Sequence, residues 1–281
     1  MRRALSLSAV ISVAARQLRR LPHHRLVLAV LAPVLALVAF SAYVVHEKLE
    51  TYTRSADLLS AAQSARAAQE LARELENERN LSALFLSTDR QSWREDLEEQ
   101  REATDERAES FRAVLLGQKA PPLFDRQRMG PGLDRLEALR AAVDGDGDLR
   151  SMLDGYGGLI ASMIASSAKL PSADLSMLIA AYVDLGQMKD RVSRERSIGA
   201  SWLLQQRKNR DLLILFTEAE AEHKAFGQSF RTHASPRQLD MFDQTVSAEL
   251  LIDIDRLHRN ILAARLGPDD VEAWHRAHLA L

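Results

Sequence analysis

Two arginines, each preceded by a glutamate, occur in closely matching segments of the chain. Glu78–Leu86 (ERNLSALFL) and Glu195–Leu203 (ERSIGASWL) share four of nine positions. A guanidinium binds flat oxygen acids through paired hydrogen bonds, and it keeps its charge at any physiological pH. A buried, unpaired guanidinium costs several kcal/mol, so an inward-facing arginine requires an anion from the protein or from solution.

Both arginines are in phase with the apolar residues of their helices. Residues at spacings of three and four form a row that leads to Arg79: Ala65, Ala68, Ala72 and Leu75. Arg196 falls between Val192 and Gly199 in a similar row. Residues at these spacings share one helical face, so both arginines are predicted to point into the domain.

Two interpretations of these arginines remain open. The residues three and four positions further on are small, which leaves room for an oxyanion: Ser82 and Ala83 in one segment, Gly199 and Ala200 in the other. Alternatively, each arginine forms an internal salt bridge, for which Glu78, Asp190 and Glu195 are available. Structural ion pairs of this kind also resemble binding sites.

The elements that must position these residues are predicted to be helices. The chain has 281 residues, 46% of them hydrophobic and 27% charged, with only 12 Gly and 8 Pro. Apolar periodicity and turn residues predict an all-α domain of two antiparallel helix bundles. The first predicted helix ends near 88. The others span 91–116, 123–143 with an interruption at 130–132, 149–170, 175–206, 209–231, 237–266 with a bend, and 269–281.

An uncharged stretch over residues 26–45 predicts a transmembrane helix, since about 20 residues span a bilayer core. Residues 1–25 carry six arginines and no acid, which predicts a cytoplasmic basic segment under the positive-inside rule. Residues 46–281 are then an extracytoplasmic domain, outside a bacterial inner membrane that the chain crosses once.

Several functional classes are disfavoured. The chain has no cysteine, which excludes disulfides and thiolate chemistry, and residues 26–281 carry 31 bases against 39 acids, which disfavours nucleic-acid binding. No catalytic motif is present, so we expect neither an enzyme nor a cofactor. His275 and His278 lack a partner motif, and the Asp144–Asp148 loop lacks the distal glutamate of a calcium site, so no metal site is predicted.

Five segments resemble the NIT (nitrate- and nitrite-sensing) domain of bacterial receptors over about residues 55–281: LARELENERNLSALFLS, QREATDERAESF, LRAAVD, YGGLIASMI and DLGQMKDRVSRERSIGASW. The resemblance implies an all-helical, two-bundle fold that binds nitrate or nitrite through arginines at the junction of the bundles. Arg79 and Arg196 are the implied ligands. Arg256, in LIDIDRLHRNIL, matches an expected third, and Arg101 is a further candidate.

Together these observations predict a single-pass membrane sensor of nitrate or nitrite that forms a homodimer and works with an output module or a separate output protein. Only seven residues follow Trp274, where such receptors usually continue into a second membrane helix. The alternative is a membrane scaffold whose helical domain binds a partner protein and whose arginines are paired internally.

Overall fold

A computed structural model describes residue 59 and residues 62–116, 126–166, 176–205, 209–246, 248–263 and 265–279. The described chain is helical, without strands. No helix in these ranges is both long and apolar enough to cross a bilayer. The predicted basic segment 1–25 and membrane helix 26–45 lie outside the described residues.

The helices follow the predicted order with adjusted ends. They are α1 (62–87), α2 (Arg94–Leu116), α3 (Arg126–Asp144), α4 (Leu149–Ser166), α5 (Ser176–Leu204), α6 (Arg210–His233), α7 (Pro236–Thr245), α8 (Ala248–Leu262) and α9 (Val271–Leu279). A short 3₁₀ turn at Pro268–Asp270 precedes α9. The all-helical prediction is therefore confirmed for the described residues.

Local capping sets several of these ends. The Asn209 side chain accepts from the backbone N–H of Asp211 at the start of α6. Ser235 begins α7 with a capping box, in which its hydroxyl accepts from the Gln238 backbone while the Gln238 side chain accepts from the Ser235 backbone. Such caps satisfy N–H groups that have no acceptor within the first helical turn.

The predicted interruption at 130–132 is wrong, because α3 runs through Gly130, Pro131 and Gly132. Pro131 is the sixth residue of α3, and only the first four N–H groups of a helix lack an internal acceptor. The missing N–H therefore removes a single intrahelical bond near the helix start, which is too little to end α3. The predicted bend within 237–266 is a break, since α7 and α8 are separate helices around an extended Val246.

Two groups of helices meet where α1 and α4 pack against α5. In the first group, Glu78 of α1 contacts Arg140 of α3 and Tyr156 of α4. In the second, α5 packs along α6 and also contacts α9. Ser197 donates to the Asn80 side chain at 3.5 Å, so equivalent positions of the two Glu-Arg segments face each other at this contact.

Candidate functional site

Arg79 and Arg196 both point into the domain, as their helical phase predicts. Arg79 is completely buried, and Arg196 is 5% exposed. Their charges interact, since Arg79 contributes to the pKa shift of Arg196. The α1–α5 contact thus brings two like charges into one region of the interior, where each needs a compensating anion.

Arg79 has an internal partner. Its Nη1 donates to Asp190 Oδ1 at 2.7 Å, and its Nη2 donates to the Asp190 carbonyl at 3.2 Å. Arg191 Nη1 holds the other oxygen of that carboxylate at 2.9 Å. Only the Nε of Arg79 is without a hydrogen-bond partner. The internal salt bridge that the sequence left open is therefore present for Arg79.

Arg196 is in a different electrostatic environment. Its Nη2 donates to Asn77 Oδ1 over a long 3.5 Å, and its Nε has no partner. Burial lowers the pKa of Arg196 to about 10, the negative charge of Glu76 partly opposes this, and Arg79 adds to it. Among the described residues no carboxylate oxygen lies within 4.0 Å of this guanidinium, and the nearby Glu76 is paired with Lys189 at 3.1 Å. Arg196 remains charged at neutral pH and lacks a direct counterion there.

The internal repeat explains this difference. Asp190 lies six residues before Arg196, and Arg73 lies six residues before Arg79. If the two segments are related by an approximate two-fold axis, as the contact between Asn80 and Ser197 indicates, Arg73 occupies the position equivalent to Asp190. A cation therefore stands where the matching half has a carboxylate.

Arg196 borders a cavity of about 900 Å³. Five bases and two acids are among the described residues that line it: Arg73, Lys189, Arg196, Lys224 and Arg231 against Glu76 and Asp255. The cavity is thus positively charged within a domain that is acidic as a whole, which favours entry of small anions. Arg79 is not among the residues that line it.

Gly199 does not provide the predicted space for an anion. The indole of Trp274 fills the position next to it, so that a Cβ built on Gly199 would lie 2.3 Å from Trp274 Cζ2. The indole N–H donates to the Arg196 carbonyl at 2.9 Å. The small residue serves the packing of α9 on α5, and the open space lies on the side of Arg196 that faces the cavity.

Arg256 and Arg101 are not at this cavity. The Arg256 side chain is 65% exposed and pairs with Asp253 at 2.9 Å. Arg101 pairs with Asp144 through two hydrogen bonds of 2.9 and 3.1 Å. The structure therefore brings together Arg79 and Arg196 and leaves the other two arginines elsewhere.

A cluster that sequence inspection missed lies at another edge of the cavity. Glu195, His258 and His278 come from α5, α8 and α9, and all three are at most 5% exposed. Burial lowers the pKa of His258 to about 4, so its imidazole is neutral at pH 7. Burial also raises the pKa of Glu195, an effect that its hydrogen bond with His223 opposes. The three residues come from separate helices, and no local motif links them.

One solved structure with a similar fold is described as the structure of the NasR transcription antiterminator. The match has a TM-score of 0.69 and 18% sequence identity, and it covers 86% of this chain and 69% of that chain. At this identity the likeness establishes the fold alone. A comparison with curated proteins finds no match.

The family model described as "nitrate and nitrite sensing" matches residues 70–279 and includes both Glu-Arg segments. That range is well over half of the chain. The protein therefore belongs to the nitrate- and nitrite-sensing (NIT) family, which is sensory and not enzymatic.

Proposed function

We propose that this domain senses nitrate or nitrite by binding the anion at Arg196, inside the cavity. The observation that carries the proposal is a buried guanidinium that borders the cavity and has no carboxylate within salt-bridge distance among the described residues. A planar oxyanion can accept two parallel hydrogen bonds from one guanidinium edge. Bound there, it supplies the counterion that Arg196 lacks.

Arg73 is the second proposed ligand. It lines the same cavity, and in the repeat it takes the place of the carboxylate that neutralises Arg79. An anion between Arg73 and Arg196 would therefore do in one half of the domain what Asp190 does in the other. The repeat would then contain one permanent ion pair, Arg79 with Asp190, and one ion pair that forms only when an anion binds Arg196.

Arg79 has a supporting role in this proposal. Its salt bridge with Asp190 favours the scaffold interpretation for this residue, but its positive charge still acts on Arg196. An anion near Arg196 relieves that repulsion. Arg256 is not included, since its guanidinium lies at the surface beside Asp253.

Calorimetry of the full chain in mild detergent tests the proposal, with nitrate, nitrite, chloride and sulfate as titrants. We expect saturable binding of nitrate or nitrite and a loss of affinity of about tenfold or more in Arg196→Gln, because charge-assisted hydrogen bonds contribute about 1.5–3 kcal/mol each. Arg73→Asp should abolish binding without unfolding the domain, since it introduces an internal counterion for Arg196. Arg256→Gln is the matched control and should bind like the wild type.

The absence of heat with all four anions would contradict the proposal and favour the scaffold. Unchanged nitrate affinity in both Arg196→Gln and Arg73→Asp would remove this site even if the protein binds the anion elsewhere. Circular dichroism of each variant establishes that the helices remain folded.

We also propose that residues 26–45 anchor the domain in the bacterial inner membrane, with residues 1–25 in the cytoplasm and 46–281 outside. The uncharged stretch and the six arginines before it support this topology. The natural chain has no cysteine, so single reporters are free of background. In intact spheroplasts a membrane-impermeant maleimide should label Ser110→Cys and not Ser6→Cys, and the reverse pattern would contradict the topology.

A homodimer and a separate output protein remain predictions. Crosslinking at the membrane, with and without nitrate, tests the first of them.

A further inference from the structure

We propose that Glu195, His258 and His278 form a binding site for one divalent transition-metal ion of the Zn²⁺ class. The atoms that converge are His258 Nε2, His278 Nε2 and Glu195 Oε2. The two imidazole nitrogens are 3.2 Å apart, and His258 Nε2 lies 3.3 Å from the carboxylate oxygen. All three potential ligand atoms lie within 4.8 Å of one another. This site does not depend on the proposed anion site.

The two separations at His258 Nε2 are those of ligands on a common ion. Zinc binds histidine nitrogen and carboxylate oxygen at about 2.0–2.2 Å, and tetrahedral geometry then places neighbouring ligand atoms about 3.3–3.5 Å apart. The two distances at His258 Nε2 match this value. Two imidazoles and one carboxylate are also a ligand set that zinc accepts in sites with one open coordination position.

Hydrogen bonding alone leaves the cluster incomplete. His278 Nδ1 contacts the Trp274 carbonyl at 3.0 Å, and because a carbonyl only accepts, that nitrogen must carry the proton. The Nε2 of His278 therefore presents a lone pair to His258. If His258 Nε2 carries a proton and donates it to this lone pair, that proton is not available to Glu195 Oε2, which is buried without a hydrogen-bond partner. One cation at the centre would be contacted by all three atoms.

The ligands are also oriented by their other atoms. The Trp274 carbonyl fixes the ring of His278, and His223 Nδ1 donates to the second oxygen of Glu195 at 2.9 Å. Metal-binding histidines and carboxylates in proteins generally have such partners, which fix the tautomer and the orientation of the ligand. Here they direct the remaining atoms toward one point.

The open coordination position can be reached from the cavity. His258 and His278 both line it. A metal ion would therefore be shielded by helices on the ligand side and would exchange water, or another small ligand, on the cavity side. Burial of an uncompensated carboxylate is costly, and a divalent cation next to Glu195 offsets that cost.

The test uses the full chain after removal of metals with a chelator, titrated with Zn²⁺ in competition with a chromophoric indicator. We expect one high-affinity equivalent per chain. His258→Gln, His278→Gln and Glu195→Gln should each weaken binding by about 100-fold or more, because even the loss of an outer partner costs 10–100-fold. His233→Gln is the matched control and should leave the affinity unchanged. His233 is not part of the cluster, and its Nδ1 lies 2.7 Å from Asp184 Oδ2.

A measurement on the unmodified chain protects the test against misfolded variants. Co²⁺ in place of Zn²⁺ should give the visible absorption bands of a four-coordinate site with nitrogen and oxygen ligands. Absence of a Zn²⁺ equivalent in the wild type, or a Co²⁺ spectrum of a fully hydrated ion, would overturn the proposal. So would binding that is lost in His278→Gln and retained in His258→Gln, which would locate the ion at the His275–His278 pair of α9.

Discussion

Substitution of Gly199 by alanine tests how α9 is held on α5. A Cβ at this position would lie 2.3, 2.6 and 3.0 Å from three atoms of the Trp274 indole. The ring is rigid and fully buried, so it cannot rotate away as a flexible side chain could. To restore ordinary contact distances, α9 must move by about 1 Å or α5 must distort.

The cost can be worked out from these contacts. Overpacking of a filled core costs about 1–3 kcal/mol, and loss of the hydrogen bond from Trp274 to the Arg196 carbonyl adds about 1 kcal/mol. The higher helix propensity of alanine returns about 1 kcal/mol. We therefore expect the free energy of unfolding to fall by about 1–3 kcal/mol, which lowers Tm by about 3–10 °C in a domain of this size.

Thermal unfolding followed by circular dichroism measures this loss. Gly158→Ala on α4 is the matched control, because a Cβ there has no atom within 4 Å. That variant should be more stable than the wild type by about 0.5–1 kcal/mol, from propensity alone. In a double-mutant cycle, Trp274→Phe should reduce the cost of Gly199→Ala, since it removes the indole atoms that clash. If Gly199→Ala is as stable as Gly158→Ala, the packing argument is wrong.

Three further predictions concern ion pairs, pH and capping. Arg79→Met should lower the free energy of unfolding by about 3 kcal/mol or more, because Asp190 stays buried with only Arg191 as partner; Asp190→Asn in the same chain should recover part of the loss, and denaturant titration measures both. In the metal-free protein, stability should decrease by up to about 3 kcal/mol as pH falls from 6.5 to 4, because the unfolded chain protonates His258 before the native state does; a wild-type pH profile parallel to that of His258→Gln would contradict this. Ser235→Ala should cost about 1 kcal/mol, seen as faster amide exchange in α7, and unchanged exchange would show that the cap contributes nothing.

Local features of the sequence predicted local features of the fold. The predicted helix starts at 209 and 237 lie within one residue of the observed starts of α6 and α7, which Asn209 and Ser235 cap, and the burial of both arginines follows from helical periodicity. These inferences need only the residues within one or two turns. The interruption expected around Pro131 failed because the cost of a proline depends on how far it lies from the helix start, and that start was not evident from the sequence.

The partners of the buried charges could not be predicted in the same way. Asp190 is 111 positions from Arg79, and periodicity within one helix contains no information about the rotation of another. The cluster of Glu195, His258 and His278 combines residues of three helices, so no spacing rule detects it. The prediction that Gly199 leaves room for an anion was wrong, because the position is filled by the indole of Trp274, a residue 75 positions further along the chain that no local pattern connects to it.

Glu78 and Arg79 are sequence neighbours whose ion pairs extend to different helices. Glu78 accepts from Arg140 of α3 and Tyr156 of α4, while Arg79 is held by Asp190 of α5. Consecutive side chains diverge by about 100° around a helix, so the two attachments restrain α1 from two sides. Rotation of α1 about its long axis would break buried ion pairs on both sides of the helix. A slide along the axis by a fraction of an ångström, or a small tilt, would lengthen these ion pairs only slightly. We therefore expect that any displacement transmitted along α1 is a translation along the helix axis or a tilt of the helix, and not a rotation about that axis.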